Sequence, residues 1–358
     1  MKPCLYIHIG RPKTGSTALQ HFLMKNRRQL LQQGCLYPLT GNFQLSSHQF
    51  AYAYSDQLRE GAKMPPITGE TLWRQLAQEV DHEKPQSVLL SSENFWFVDP
   101  ANLPASLEDS YQVRVIAHIR RQDNVICSSF CEEVKREQIS LDTDVESYAL
   151  HSHRLGFLDY AEILRAWSQR FGAENINVRV YEHVSVTGIS ADLCSLLDVN
   201  FSELSIEESR VNPGLPYDVL SLISRSKHFK AGDAAKRRFV TALSESVVML
   251  EPDAAYDTAG LFSLALRQKI MAHFEASNDE IFRNYIHDDA TELFPALGNQ
   301  ELAAPDTHID EKRMVQLLLG LHAQQEKANI RFLRRLTKLE REFEAQAKIL
   351  ADITRRLG

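Results

Sequence analysis

The stretch C-L-Y-I-H-I-G-R-P-K-T-G-S-T, residues 4–17, decides how the rest of the chain is read. Cys4 to Ile9 is a short, apolar, partly β-branched run that stops at Gly10 and is soon followed by a proline. A helix-compatible segment runs from about Ser16 to Gln33 and is closed by Gly34. Strand, tight loop and helix in that order open a parallel α/β fold. A loop in that position aims backbone N–H groups and the positive end of a helix at a phosphate-like anion. Gly15 lets the backbone approach a ligand closely, Ser16 and Thr17 add hydroxyl donors, and Lys13 supplies a mobile charge.

Further along, Thr68 to Asp81 is expected to be a helix capped by Thr68, with Glu70 and Glu79 on its polar face. Gln86–Ser92 and Val113–Ile119 are the next buried-strand candidates, each leading through a polar segment into a helix. Phe157–Phe171 has the apolar spacing of an amphipathic helix, and Ile176–Tyr181 alternates as a strand does. Leu36–Met64, rich in Gly, Ser, Tyr and Pro, is expected to be irregular and to face substrate. From Ser190 to about Tyr285 the pattern is predominantly helical. The expected fold is α/β: a P-loop-like parallel sheet flanked by helices, with a helical C-terminal half and a terminal long helix or coiled coil.

That terminal segment carries Leu336, Phe343, Leu350 and Leu357 at seven-residue spacing, with Phe332, Leu339 and Ile353 in the complementary positions. It reads either as a two-stranded coiled coil, hence a homo-oligomer, or as a helix folded back on its own domain. The expected division is an α/β domain over 1–305 and a C-terminal helix over 306–358. Among its charges Arg331, Arg334, Arg335, Lys338 and Arg341 are basic, which suits an acidic partner or a membrane surface, though such runs are usually solvated faces.

The 358 residues are 44% hydrophobic and 24% charged, an ordinary globular balance with enough apolar residues for a sizeable core. A net charge of −7 gives no support for a nucleic-acid binder. The five cysteines are odd in number and contain no C-x-x-C, so neither a disulfide framework nor a zinc site is implied. Cys127 and Cys131 stand four apart but have no matching ligand pair. The N-terminal apolar run is too short for a signal peptide, and no stretch approaches the roughly 20 apolar residues of a membrane span. A cytoplasmic protein is expected, with a peripheral position at the inner membrane face as a variant.

The loop nearly matches the nucleotide-triphosphate pattern G-x-x-x-x-G-K-[ST], but Ser16 follows the second glycine and the lysine stands inside the loop at Lys13. An ATPase needs its lysine at the helix start and an aspartate at a later strand end for magnesium. The endings S-S-E and H-I-R-R offer no such aspartate; Glu93 is the one substitute, and it keeps a nucleotide-dependent kinase open. A second constellation favours a different nucleotide. Arg120 closes a strand and Ser128 lies about two turns into the next helix, an arginine fork and a hydroxyl able to grip a separate phosphate. An anion loop plus a distant clamp suits a nucleotide phosphorylated at both 3′ and 5′ positions.

With these residues in place the sequence resembles the sulfotransferases that use 3′-phosphoadenosine-5′-phosphosulfate (PAPS). P-K-T-G-S-T resembles the family's 5′-phosphosulfate loop, and R-R-Q-D-N-V-I-C-S-S-F resembles its 3′-phosphate motif. The run from L-D-Y-A-E-I-L-R-A-W to V-R-V-Y-E-H resembles its helix followed by a strand ending in Tyr-Glu. All three fall in family order across about residues 4 to 200, closest to bacterial members that modify surface carbohydrate, as is the later S-N-D-E-I-F-R-N-Y-I. The resemblance implies a PAPS donor with adenosine 3′,5′-bisphosphate as product, no required metal, and a carbohydrate or glycoconjugate acceptor. It implies that Lys13 holds the bridging oxygen and the sulfuryl group, that Thr14, Gly15, Ser16 and Thr17 bind the 5′-phosphate, and that Arg120 and Ser128 bind the 3′-phosphate. Tyr181 matches a tyrosine that often lies near adenine. Three departures stand out: Ala18 where the family has an aromatic, Gln122 for proline, and Val125 for the second arginine of the 3′-motif.

An acceptor hydroxyl must lose a proton, so a general base is expected near the donor sulfur. Glu93, after a strand at the carboxyl edge of the sheet, and His48, in the irregular stretch, are the two candidates, with His118, His151 and His153 behind them. A reading from another class also remains: a non-catalytic coiled-coil assembly protein with a vestigial pocket, against which the intact Lys13, Arg120 and Ser128 argue.

Overall fold

The computed structural model describes residues 2–11, 13–59, 67–184, 188–205, 214–226, 232–251, 259–286, 290–298 and 308–357, the backbone alone for 59, 259 and 343–357. Five strands form one sheet: β1 (Cys4–His8), β2 (Cys35–Leu36), β3 (Ser87–Ser91), β4 (Gln112–Ile119) and β5 (Ile176–Val180). The order is β2-β3-β1-β4-β5 and every pairing is parallel. Leu5, Ile7, Val88, Leu89, Leu90, Val115, Ile116, Ala117 and Ile119 are buried, as strands covered on both faces must be. Each fully buried Leu or Ile of this kind contributes about 1.5–3 kcal/mol. Helices flank the sheet, and the expected α/β class with a long terminal helix is the observed one.

Because β1 lies between β3 and β4, the chain reverses its direction of travel across the sheet there. The carboxyl ends beside such a switch point form a crevice. The loop after β1 and the first residues past β3, β4 and β5 share that edge.

Some boundaries move. The helix expected over 16–33 is two: α1 (Ser16–Lys25) and a shorter helix, Arg27–Gln32. The break falls at buried Asn26, whose amide donates to the carbonyls of Phe22 and Ser205 and accepts from the Ser205 N–H. The loop after Leu36 contains a short helix, His48–Ala53, that seats His48; residues 60–66 of that loop lie outside the described residues. Thr68 caps the helix Gly69–Glu83 by accepting from the Thr71 N–H. Glu79 is more than a polar-face residue. It accepts from Leu39 N, Thr40 N and Arg27, and these bonds outweigh burial to hold its carboxyl below the usual range.

The chain divides into two units, Met1–Ser129 with Asp144–Asn212 and Ala259–Ala303, and Phe130–Thr143 with Pro213–Thr258 and Ala304–Gly358. The first contains the sheet. In the second, the terminal helix Glu311–Leu357 begins packed on the helix Asp233–Leu250: Leu317 and Gly320 are buried, and Arg313 pairs with Asp218 and Glu251. Residues 325–342 are exposed throughout, Ile330, Phe332, Leu333, Leu336 and Leu339 among them. The side chains of Phe343, Leu350, Ile353 and Leu357, the rest of the heptad seam, lie outside the described residues. Among the described residues no helix is long and apolar enough to cross a membrane.

Candidate functional site

Two residues of the loop after β1 hold left-handed backbone, Lys13 at φ 78° and Gly15 at φ 80°. The conformation costs glycine little and lysine of order 1–2 kcal/mol. Thr14 is buried and ties the turn, its hydroxyl donating to the Arg11 carbonyl at 2.6 Å. Gly15 is the N-cap of α1, with no capping side chain and no acidic residue in the first turn. That leaves the helix terminus electropositive, as an anion site requires. Ser16 is buried at the first helical position and Thr17 half-buried beside it.

The β4 end reaches back to this loop. Arg120 donates from Nη1 to the Lys13 carbonyl at 3.1 Å, and its guanidinium lies over the Tyr181 ring at 5.0 Å. A Cβ placed on Gly15 would stand 3.5 Å from the same tyrosine ring. Lys13, Gly15, Arg120 and Tyr181 thus form one cluster. Ser128 sits half-buried in the second turn of the helix Gln122–Lys135, further along the same element.

The two base candidates are neighbours. His48 Nδ1 is 2.7 Å from Ser92 Oγ and 3.1 Å from the Asn94 amide, so residues on either side of Glu93 hold the imidazole. Burial pushes His48 below its ordinary range, against the pull of the Glu93 carboxylate, which raises it. Glu93 accepts from Gln20 Nε2 of α1 at 2.7 Å. The helix that starts at the anion loop therefore also fixes the carboxylate. The remaining histidines are placed elsewhere: His118 is fully buried with both ring nitrogens bonded, while His151 and His153 are exposed.

Several residues of this site have no role that the sequence assigns. Glu182, after β5, accepts from the Arg121 N–H and from Asn124 Nδ2, and its carboxylate lies 3.8 Å from Arg120 Nε. Tyr160 donates its hydroxyl to the Arg120 carbonyl at 2.8 Å. Gln122 is fully buried and donates to Asn278 Oδ1 at 2.7 Å. The glutamine that departs from the resembled motif and the asparagine of S-N-D-E-I are thus partners across 156 residues. Asp123 is shared by Arg121 and buried Arg267. The signal for Glu182 is its place directly after a strand ending at the carboxyl edge; for Asn278 there is none without the fold.

No protein-family profile matches the chain, and no curated protein does. Among solved structures it is similar to a sulfotransferase from Alicyclobacillus acidocaldarius, at 18% identity over 67% of this chain and 96% of that one, with a TM-score of 0.40. It is similar also to the sulfotransferase domain from the curacin biosynthetic pathway, at 13% identity over 77% and 98% and a TM-score of 0.35. A third is retinol dehydratase in complex with androsterone and the inactive cofactor PAP, at 12% identity over 81% and 84% and a TM-score of 0.33. These are distant likenesses, and the functional argument rests on the residues of the site.

Proposed function

We propose that the chain is a PAPS-dependent sulfotransferase acting on a hydroxyl or amine, with a carbohydrate or glycoconjugate as the acceptor class. The observation that carries the reading is the bond from Arg120 to the Lys13 carbonyl, which couples an anion loop to a second cation beside an aromatic ring. That coupling suits a nucleotide phosphorylated at both ends, whose two phosphates need two cations held in register. The residues fit such a donor: an uncapped helix terminus without acidic residues, left-handed backbone at Lys13 and Gly15, and a guanidinium held by the carboxylate of Glu182.

In this reading Thr14, Gly15, Ser16 and Thr17 bind the 5′-phosphate, Arg120 and Ser128 the 3′-phosphate, and Tyr181 lies near the adenine. Bound PAPS supplies an activated sulfuryl group, which the acceptor oxygen takes as the bridging S–O bond breaks and the bisphosphate leaves. Lys13 stabilises the charge that develops on the leaving oxygen, and oriented amides can share that work without a metal. The acceptor proton passes to His48 or Glu93. A base at His48 Nε2 requires the ring proton on Nδ1, donated to Ser92 Oγ, with Asn94 turning its amide oxygen to the ring. Burial keeps that imidazole neutral at cellular pH.

Calorimetric titration with adenosine 3′,5′-bisphosphate beside ATP with magnesium tests the reading. Binding of the bisphosphate alone, lost in Lys13→Ala and Arg120→Ala, is the expected result. Binding of ATP but not the bisphosphate would replace it with the kinase.

The exposed seam of the terminal helix is read as a coiled coil between two copies. Truncation after Gln324 keeps the buried Leu317 and Gly320, so the shortened chain should fold and sediment as a monomer. The same number of protomers in the full-length and the shortened protein would remove the coiled coil from the reading. All five cysteines are free thiols, which suits a reducing compartment such as the cytoplasm, including its membrane face.

A further inference from the structure

Directly beneath the anion loop, the core of the sheet contains a line of polar side chains that no step above uses. His8 at the end of β1 and His118 in β4 are both fully buried. His8 Nδ1 lies 2.8 Å from Ser91 Oγ, and His8 Nε2 lies 3.0 Å from His118 Nδ1. His118 Nε2 lies 3.3 Å from Asp192 Oδ2, and Arg179 grips the same carboxylate through two of its nitrogens. The two rings stand nearly perpendicular, 5.1 Å apart. Two imidazoles buried in a sheet and linked to a buried carboxylate are costly unless each donor meets an acceptor; the Arg179 guanidinium that grips the carboxylate is partly exposed.

Counting donors gives the line a direction. The carboxylate can only accept, so His118 carries its proton on Nε2. Burial, foremost, keeps both imidazoles neutral, which leaves His118 Nδ1 as a lone pair. His8 must then donate from Nε2 and accept at Nδ1 from the Ser91 hydroxyl. Every bond points the same way, from Ser91 through His8 and His118 to Asp192.

The same two histidines touch the loop. A Cβ on Gly10 would fall 2.6 Å from His8 Nε2, so the imidazole lies against the loop's first glycine. The Arg11 N–H donates to the His118 carbonyl at 2.9 Å, and the Ser92 N–H to the His8 carbonyl at 3.2 Å. The middle of the line therefore adjoins the anion loop, and its Ser91 end lies in the strand that leads to Glu93.

We propose that His8 and His118 are positioning residues: a one-way hydrogen-bonded line from Ser91 to Asp192 sets the height of Gly10 and Arg11, and so the aim of the anion loop's amides. The inference rests on the loop being the donor site. It differs from ordinary core packing in requiring polarity, and not only volume, at position 118.

The test compares His118→Gln, which keeps one donor and one acceptor without charge, with His118→Met, which keeps the size and loses the donor. Hydrogen exchange of amides 9–17, bisphosphate titration, and nitrogen-15 spectra of the imidazoles are read together in the full-length protein. Both histidines of the wild type should be Nε2–H tautomers. In His118→Met, exchange of amides 9–17 should rise, and bisphosphate affinity fall, by about tenfold, the worth of one well-made bond. Exchange in the other strands should stay near wild type, and His118→Gln should restore both readouts. An Nδ1–H tautomer at either ring, an unchanged loop in His118→Met, or an equal rise across the whole sheet would overturn the proposal. If His118→Met does not fold, Ser91→Ala removes the donor at the other end and should loosen the same amides; a loop unchanged there sinks the idea equally. A wild type that binds no bisphosphate would end the donor-site reading, while exchange and tautomers still decide the positioning role.

Discussion

Arg120 Nη1 and the carbonyl oxygen of Lys13 meet at 3.1 Å across a sequence separation of 107 residues. This guanidinium is a strut tying down the loop that carries Lys13, and in the proposed donor site it is a ligand cation as well. Its removal should cost more than a single phosphate contact.

Arg120→Ala should weaken adenosine 3′,5′-bisphosphate binding by roughly 10- to 100-fold, the range for a charge-assisted hydrogen bond. Arg120→Lys keeps the charge but not the planar fork that reaches the loop carbonyl, and should recover only part of the loss. Calorimetry on the two variants separates charge from geometry; equal recovery by lysine would mean the strut is unimportant.

Lys13 holds φ 78°, a conformation that costs a lysine stability and is tolerated where function requires it. Lys13→Gly relieves the backbone at some cost in unfolded-chain entropy, about 0.5–1 kcal/mol, so denaturation midpoints should hold or rise. If the proposed mechanism holds, sulfuryl transfer should nevertheless fall by at least about 100-fold, because the proposal sets this charge opposite the leaving oxygen. A variant that is both unstable and inactive would contradict this account of the loop.

The opening unit was legible because three signals agree over residues 4–34: an apolar run, a glycine–proline break and a helical period. Buried parallel strands declare themselves as short apolar runs, which is why β3, β4 and β5 fall within a residue or two of expectation. What stayed hidden depends on partners far away in sequence. The break at Asn26 is fixed by Ser205, the burial of Gln122 by Asn278, and the adjacency of His8 and His118 by the pairing of β1 with β4. The two-residue β2 is too short to carry any period. Lys13, Gly15, Arg120 and Tyr181 lie together in the fold; the place of Glu182 after a strand could be read, but its bond to the Arg121 N–H and that of Tyr160 to the Arg120 carbonyl are announced by no spacing.

The base assignment can be divided by pH. The Glu93 carboxylate raises His48, so Glu93→Gln should lower the imidazole further. If His48 takes the proton, the acidic limb of the pH–rate profile should move to lower pH in Glu93→Gln, with activity retained above it. If Glu93 is the base, the same variant should lose activity at every pH and His48→Ala should retain much of it. Profiles of kcat for wild type and both variants decide between the two.

Burial depresses His8, His118 and His48 in the folded protein, so the unfolded chain binds more protons as pH falls through the ordinary histidine value of about 6.5. Stability should therefore fall with pH below that value, down to the folded values, with each fully coupled group adding up to about 1.4 kcal/mol per pH unit. Asp192, also depressed, loses its contribution only in the carboxylate range, below the histidine window. Urea denaturation of the wild type at pH 7.5, 6.5 and 5.5 should show this slope, and His118→Gln should show a shallower one. A flat profile would mean that the imidazoles take up protons in the fold as readily as in the unfolded chain, and a rise in stability with falling pH that they are held protonated.

Gly320 tests how the terminal helix begins. A Cβ there would stand 2.8 Å from Ser246 Cβ and 3.1 Å from Leu250 Cδ1, so the two helices approach within a distance that only glycine allows. Ser246 cannot swing aside, because a Cβ is fixed by its backbone, and its hydroxyl is already bonded to the Ala242 carbonyl. In an exposed helix Gly→Ala stabilises by roughly 1 kcal/mol, whereas overpacking a close contact costs about 1–3 kcal/mol. Gly320→Ala should therefore be neutral to about 2 kcal/mol destabilising, despite the better helix former. Adding Ser246→Gly removes the opposing Cβ, and the pair should show a favourable coupling of at least about 0.5 kcal/mol, as residues in direct contact do. Denaturation of the four members of that cycle decides the matter: strict additivity would mean that the helices do not touch at these two residues.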